Sequence, residues 1–145
     1  METQHYKNHI RYYPAHHFIF YPVVLVLLIA SIYGALNTTE NHLLWIVLAG
    51  VIICIGWLSF MLRQHYALGN QNRTALAELR FRYYVVTHKR LEEIESRLSL
   101  SQLLALRFAS DEELEELSQK AVTGNLSADA IKQSVKTWRP DYMRV

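Results

Sequence analysis

The chain has 145 residues, a formal net charge of +2 and a single cysteine, Cys54. This length leaves room for one soluble domain at most, one cysteine excludes an intrachain disulfide or a multi-cysteine metal site, and so small a charge argues against nucleic-acid binding. The mean hydropathy of +0.02 averages two very apolar stretches with a charged C-terminal half.

The first apolar stretch, residues 18–36, contains no charged side chain. It follows an N-terminal segment, residues 1–17, that we predict to be cytoplasmic or interfacial. At about 1.5 Å of rise per residue, a helix of this length crosses a hydrocarbon core of about 30 Å. The run is too long for the apolar core of a signal peptide, and no small-residue cleavage site follows it. Residues 18–36 are therefore predicted to form a transmembrane helix.

A second apolar run, residues 43–62, repeats this pattern after a polar connection, residues 37–42. So short a connection predicts two antiparallel neighbouring helices, with residues 37–42 as the external loop of a hairpin. The basic residues that flank the hairpin are Lys7 and Arg11 before it and Arg63 and Arg73 after it. Because the loop itself carries only one charged residue, an acid, the positive-inside rule places both termini in the cytoplasm.

The chain after the second apolar run keeps enough helix-forming residues to predict a helical stalk over residues 63–86. Four apolar side chains at three- and four-residue spacing share one face of this helix: Leu76, Leu79, Tyr83 and Val86. A stripe of this kind needs a partner to cover it. The sequence THKR then interrupts the pattern, and a small helical domain is predicted over residues 87–145.

Short helices within residues 87–145 are indicated by their starts. Ser99 with Gln102, and Ser110 with Glu113, match the capping box, in which side chains satisfy the free amides of a helix start. Ser127 heads the last helix. The pair Gly124 and Asn125 is typical of a helix that ends in a left-handed conformation. The predicted core residues are Leu91, Ile94 and Leu98, then Leu114, Leu117 and Ala121, and finally Ile131, Val135 and Trp138. The predicted fold class is all-α.

Charge is divided by region. The stretch from Arg63 to Arg90 holds six basic residues against the single acid Glu78. A basic segment close to an anionic leaflet gains about 1 kcal/mol per Lys or Arg, so we expect membrane lipids, including anionic ones, as partners there. The acidic run DEELEE stands at a helix start, where the helix dipole favours negative charge. We therefore expect this run to be structural.

Patterns that support catalysis are absent from the sequence. There is no GxSxG elbow, no Cys–His pair and no glycine-rich phosphate loop. Neither apolar run contains an ionisable residue of the kind that marks an ion pathway. We expect a protein that is not an enzyme, with no catalytic residue and no cofactor.

Five histidines lie near one predicted membrane boundary and are candidate metal ligands: His5, His9, His16, His17 and His65. His5 and His9 would share one face if their segment is helical, and imidazoles bind zinc, copper and iron. No HExxH or carboxylate–histidine pattern accompanies them. A role as polar anchors at the interface is preferred, and metal or haem binding is the alternative.

Four stretches of the sequence together resemble a family of short bacterial membrane proteins that is classed only as a domain of unknown function. They are YKNHIRYYPAHHFIFYPV, SFMLRQHYAL, ALRFASDEEL and IKQSVKTWRPDYMRV. The resemblance covers nearly the whole chain. It implies a multi-pass protein of the bacterial inner membrane and assigns no catalytic residue.

These features favour a non-enzymatic, membrane-anchored adaptor or accessory subunit that acts through its cytoplasmic helical domain. Its counterpart would be an unidentified protein or further copies of the chain. The side chains predicted to mediate this interaction are Leu76, Leu79, Tyr83, Val86 and Trp138. The alternative is a metal- or haem-binding membrane protein that uses the interfacial histidines.

Overall fold

The computed structural model describes residues 4–10 and 12–142, and this part of the chain is all-α, with one isolated antiparallel bridge between Ala109 and Trp138. Arg11, one of the flanking basic residues, lies outside the described residues, as do residues 1–3 and 143–145. The chain divides into two compact units. We call the described residues within Tyr12–Gly69 the apolar hairpin, and those within Met1–Arg11 and Asn70–Arg144 the helical domain.

The apolar hairpin contains helix α1, Tyr21–Asn37, which continues a π-helical segment, Ala15–Phe20, and helix α2, His42–Met61. Both helices are long and apolar enough to cross a membrane. They coincide with the predicted spans to within a few residues, because both runs lack charged side chains and their one proline, Pro22, stands in the first turn of α1, where a missing amide hydrogen costs little.

The two helices of the hairpin pack closely at Gly34. A β-carbon at this position would lie 2.5 Å from Cδ2 of the Trp45 ring, so only glycine allows this approach. Ser31 is buried one turn earlier, and its hydroxyl donates to the Leu27 carbonyl at 2.8 Å. Most large apolar side chains of both helices are exposed instead. A surface of this composition fits a hydrocarbon environment.

Helix α3, Leu68–Thr87, follows α2 through a second π-helical segment, Leu62–Ala67, so the helical conformation is unbroken from His42 to Thr87. Gly69 lies within this helix. The helix ends where THKR begins, because His88 adopts a left-handed conformation with φ of 56°. Its amide still donates to the Tyr84 carbonyl at 2.8 Å.

The rest of the helical domain consists of short helices: α4, Glu92–Glu95; α5, Leu100–Leu106; α6, Asp111–Thr123; and α7, Ala128–Ser134. The capping box at α5 is confirmed. The Ser99 amide donates to Gln102 Oε1 at 2.6 Å, and the Gln102 amide donates to Ser99 Oγ at 3.3 Å. At α6 the Ser110 amide donates to Glu113 Oε1 at 3.2 Å, and at α7 the Ala130 amide donates to Ser127 Oγ at 3.1 Å.

The end of α6 differs in detail from the prediction. Gly124 keeps a right-handed conformation, and Asn125 is the left-handed residue, with φ of 45°. The Leu126 amide then donates to the Ala121 carbonyl at 3.2 Å. This bond closes the helix end, and asparagine accepts the left-handed region more readily than most residues do.

The core of the helical domain contains eight of the nine side chains predicted from its short helices: Leu91, Ile94, Leu98, Leu114, Leu117, Ala121, Ile131 and Val135. The ninth, Trp138, was placed on the last helix, and this prediction is wrong. Helix α7 ends at Ser134 and Val135 is extended. Trp138 lies in the following segment, is half-buried, and packs with its ring centroid 4.8 Å from that of Phe108.

Candidate functional site

The five histidines do not form a cluster. His5 is exposed, with Nδ1 2.6 Å from Asn8 Oδ1. His16 and His17 are neighbours in the first π-helical segment, with ring centroids 5.4 Å apart, and His65 lies in the second. Within residues 4–10 and 12–142, no group of three or more His, Cys, Asp or Glu side chains is placed to hold a metal ion.

Both ring nitrogens of His9 are engaged within the helical domain. Lys132 Nζ lies 3.2 Å from Nε2, and because an ammonium group can only donate, Nε2 accepts this hydrogen bond. Nδ1 must then carry the hydrogen, and it donates to the Tyr6 carbonyl at 2.6 Å. The ring also packs against Phe108 and Trp138. His9 therefore has a structural role, which its spacing from His5 did not suggest.

The segment that contains His9 belongs to the helical domain. Tyr6 donates a hydrogen bond to Asp129 Oδ1 at 2.8 Å and accepts one from Gln133 at 3.1 Å. Gln4 is buried, and its Oε1 accepts a hydrogen bond from the Asp141 amide at 2.7 Å. The sequence predicted residues 1–17 as a separate segment, whereas residues 4–10 pack on the far end of the chain.

The stripe predicted to mediate an interaction is covered by the domain itself. Leu79 and Tyr83 are 3% and 1% exposed in the core, and Leu76 and Trp138 pack against that core from its edge. Val86 is half-buried. Leu79 and Tyr83 are thus inaccessible to a second protein in this structure, because the short helices that follow α3 supply their partner.

The opposite side of α3 is exposed and partly apolar. We call it the outer face and define it by six exposed residues: Asn70, Thr74, Ala77, Phe81, Tyr84 and Val85. Phe81 is 71% exposed, and Tyr84 and Val85 are each 53% exposed. The sequence YYVV places apolar side chains on both sides of the helix. The predicted interaction stripe included only the side that contains Leu79 and Tyr83, which the structure buries. Counting a second repeat through Ala77, Phe81 and Tyr84 would have found this surface.

An ionic network stands beside the outer face. The Arg82 guanidinium donates to the carbonyls of Arg107 and Ala109 at 2.9 and 2.5 Å, and Nε lies 2.9 Å from Asp111 Oδ1. Burial, followed by the nearby Arg139 charge, lowers the pKa of Arg82, and Asp111 opposes this shift. Arg139 Nη1 also reaches the same Asp111 oxygen at 3.1 Å. This network ties α3 to the start of α6 and to the chain after α7.

An open cavity of about 650 Å³ lies over this network and has Phe81 and Val85 in its lining. Its volume is that of a small-molecule site. Its charged lining residues are Glu78, Arg82, Arg107, Asp111, Arg139 and Asp141. The three basic and three acidic side chains leave this lining with no net formal charge. Aromatic residues and arginine, both present here, are enriched at protein contact surfaces.

The whole chain, residues 1–145, matches DUF6526, a family of unknown function, and belongs to it. No curated protein and no solved structure matches the chain.

Proposed function

We propose that this member of the DUF6526 family is a non-enzymatic, membrane-anchored adaptor or accessory subunit that contacts another protein through its helical domain. The observation that carries the proposal is the outer face of α3. Phe81, Tyr84 and Val85 are exposed there, although the domain buries Leu79 and Tyr83 on the other side of the same helix. Large exposed aromatic side chains beside paired charges mark protein contacts, since aromatic residues and arginine are enriched in them.

The anchor in this proposal is the apolar hairpin, inserted in a bacterial inner membrane with both termini cytoplasmic. The basic flanks favour this orientation. The contacts of Tyr6 with Asp129 and Gln133 independently support placing both termini on one side, because they join the chain before α1 to the chain after α2. Two segments in contact lie on the same side of a membrane, and this requires an even number of crossings between them.

Lipids are the second class of partner in this proposal. Arg63 and Arg73 are exposed on either side of the start of α3. Near an anionic leaflet each would contribute about 1 kcal/mol of attraction. This attraction assists anchoring. Insertion itself does not depend on it, because two apolar helices of this length are sufficient to insert the chain.

A photo-crosslinking amino acid at position 81 in native membranes tests the protein contact. We expect a covalent adduct with a protein at position 81 and none at a matched control, position 116, which is exposed on α6 and polar. Failure to capture any protein at position 81, with normal membrane insertion, would exclude the outer face as a contact surface.

Reporter fusions test the orientation. A reporter that is active only in the cytoplasm should be active at either end of the chain, and one that requires the periplasm should be inactive at both. A periplasmic signal from the C-terminal fusion would overturn the proposed topology.

A further inference from the structure

We infer that the outer face of α3 is the contact between two copies of this chain, paired through α3 as a short parallel coiled coil. This inference rests on the proposed function, since it identifies the partner at the outer face as a second copy. The case for a second copy comes from the spacing of the exposed residues, from the symmetry of a membrane and from a complementary pair of charges.

The spacing is that of a coiled-coil seam. Five residues of the outer face follow one another at alternating intervals of four and three: Asn70, Thr74, Ala77, Phe81 and Tyr84. All five are exposed, and the three apolar ones are consecutive in this series. An average interval of 3.5 residues keeps a stripe aligned with the same stripe on a second helix. The helical domain uses the other side of α3, so this seam stays available.

The symmetry of a membrane decides the relative direction of two such helices. Identical copies inserted with the same topology are related by a rotation about an axis normal to the membrane. This rotation keeps equivalent helices parallel where they run along the axis, and α3 continues α2, a predicted span, without a break in the helix. A parallel pair also brings each seam residue opposite its own counterpart, so Phe81 meets Phe81 and Tyr84 meets Tyr84.

The charges beside the seam match this parallel register. In a parallel coiled coil, the residue that precedes one seam position lies near the residue five places later on the other helix. Arg73 directly precedes the seam residue Thr74, Glu78 directly follows the seam residue Ala77, and both charged side chains are exposed. Each copy would therefore place Arg73 against Glu78 of the other copy, which forms two symmetric pairs of opposite charge.

The seam is short, so we expect two copies to pair through it only where their local concentration is high. Residues 70–84 span roughly 21 Å of helix, and so short a coiled coil is marginal between molecules that diffuse freely. Confinement to one membrane raises the effective concentration of the second copy and compensates for a small interface. We therefore expect dimers in membranes and weak association after dilution in detergent.

Disulfide crosslinking of the full chain in native membranes tests the inference. The natural cysteine is removed with Cys54→Ala, and single cysteines are introduced by Ala77→Cys, Tyr84→Cys or, as a control, Glu116→Cys on α6. We expect mild oxidation to give a dimer yield several-fold higher for the two seam positions than for the control. Equal yields at all three positions would overturn the inference.

Charge exchange tests the register. Starting from the Ala77→Cys protein, Arg73→Glu should lower the dimer yield several-fold, and adding Glu78→Arg should restore it. An unchanged dimer yield after the single exchange would exclude the parallel register.

The photo-crosslink at position 81 separates the two proposals. A different protein captured there without seam dimers would overturn the dimer and leave the adaptor function standing, whereas the absence of both products would overturn both.

Discussion

The apolar hairpin and the helical domain are both built from α-helices, yet they use apolar side chains in opposite ways. In the hairpin, residues such as Leu25, Ile29 and Ile53 are more than half exposed, and the close contact between the helices places Gly34 against the Trp45 ring. In the helical domain, Leu106, Leu114 and Ile131 are completely buried. The difference teaches that hydropathy alone describes the hairpin, whereas the domain depends on which face each apolar residue occupies.

The largest expected effect on stability comes from the core of the helical domain. Leu114 is 0% exposed, and Leu114→Ala should lower the free energy of unfolding of this domain by about 2–5 kcal/mol, because it leaves a cavity. Limited proteolysis of the protein in mild detergent measures the change. The same replacement at Leu25, which is exposed on α1, is the control and should leave the protection of the domain unchanged. Similar losses for both variants would break the comparison.

A smaller loss is expected at the contact between the two hairpin helices. Gly34→Leu places a side chain where the Trp45 ring already lies and should cost about 1–3 kcal/mol through overpacking. Gly50→Leu is the matched control, because a β-carbon at Gly50 meets no atom within 4 Å. Unfolding of the helices by a denaturing detergent, followed by circular dichroism, should show a lower midpoint for Gly34→Leu only. An unchanged midpoint would mean that the helices separate at this point.

Helix capping in the domain should give a further, smaller effect. Ser99→Ala removes the oxygen that accepts the Gln102 amide hydrogen and should cost about 0.5–2 kcal/mol. Ser96→Ala, at an exposed position outside any capping box, provides the comparison. Both are measured by the rate of proteolysis within the domain. A faster rate for Ser96→Ala than for Ser99→Ala would contradict the assigned cap.

The smallest effect is expected from replacing histidines, because we expect the protein to bind no metal. This measurement distinguishes an adaptor from a metal- or haem-binding protein. The purified wild-type protein should carry less than one equivalent of zinc, copper or iron and show no haem absorption band. Replacement of His16 and His17 together should leave both measurements unchanged, because we expect the wild type to hold no metal. A four-coordinate site built on these histidines would instead lose its metal with two of its ligands. One equivalent of metal in the wild type, lost in the double variant, would place the alternative function first.

The amino-acid sequence by itself determined the local features of this protein. The two apolar helices, the starts at Ser99, Ser110 and Ser127, and the buried face of α6 all follow from patterns within one or two helical turns. Each of these features is governed by hydrogen bonds or side-chain periodicity along a single segment, so the residues that decide it are close together in the chain.

The tertiary structure alone decided what depends on distant parts of the chain. Tyr6 and Asp129 are 123 residues apart, and no local sequence pattern near either residue predicts their hydrogen bond. The same holds for α3, where the sequence contains apolar residues on two sides and does not say which side is covered. The short helices that follow bury Leu79 and Tyr83 and leave Phe81 and Tyr84 exposed. Which face of an amphipathic helix remains free is settled by its packing partners, because burial is a property of the assembled core and not of the segment.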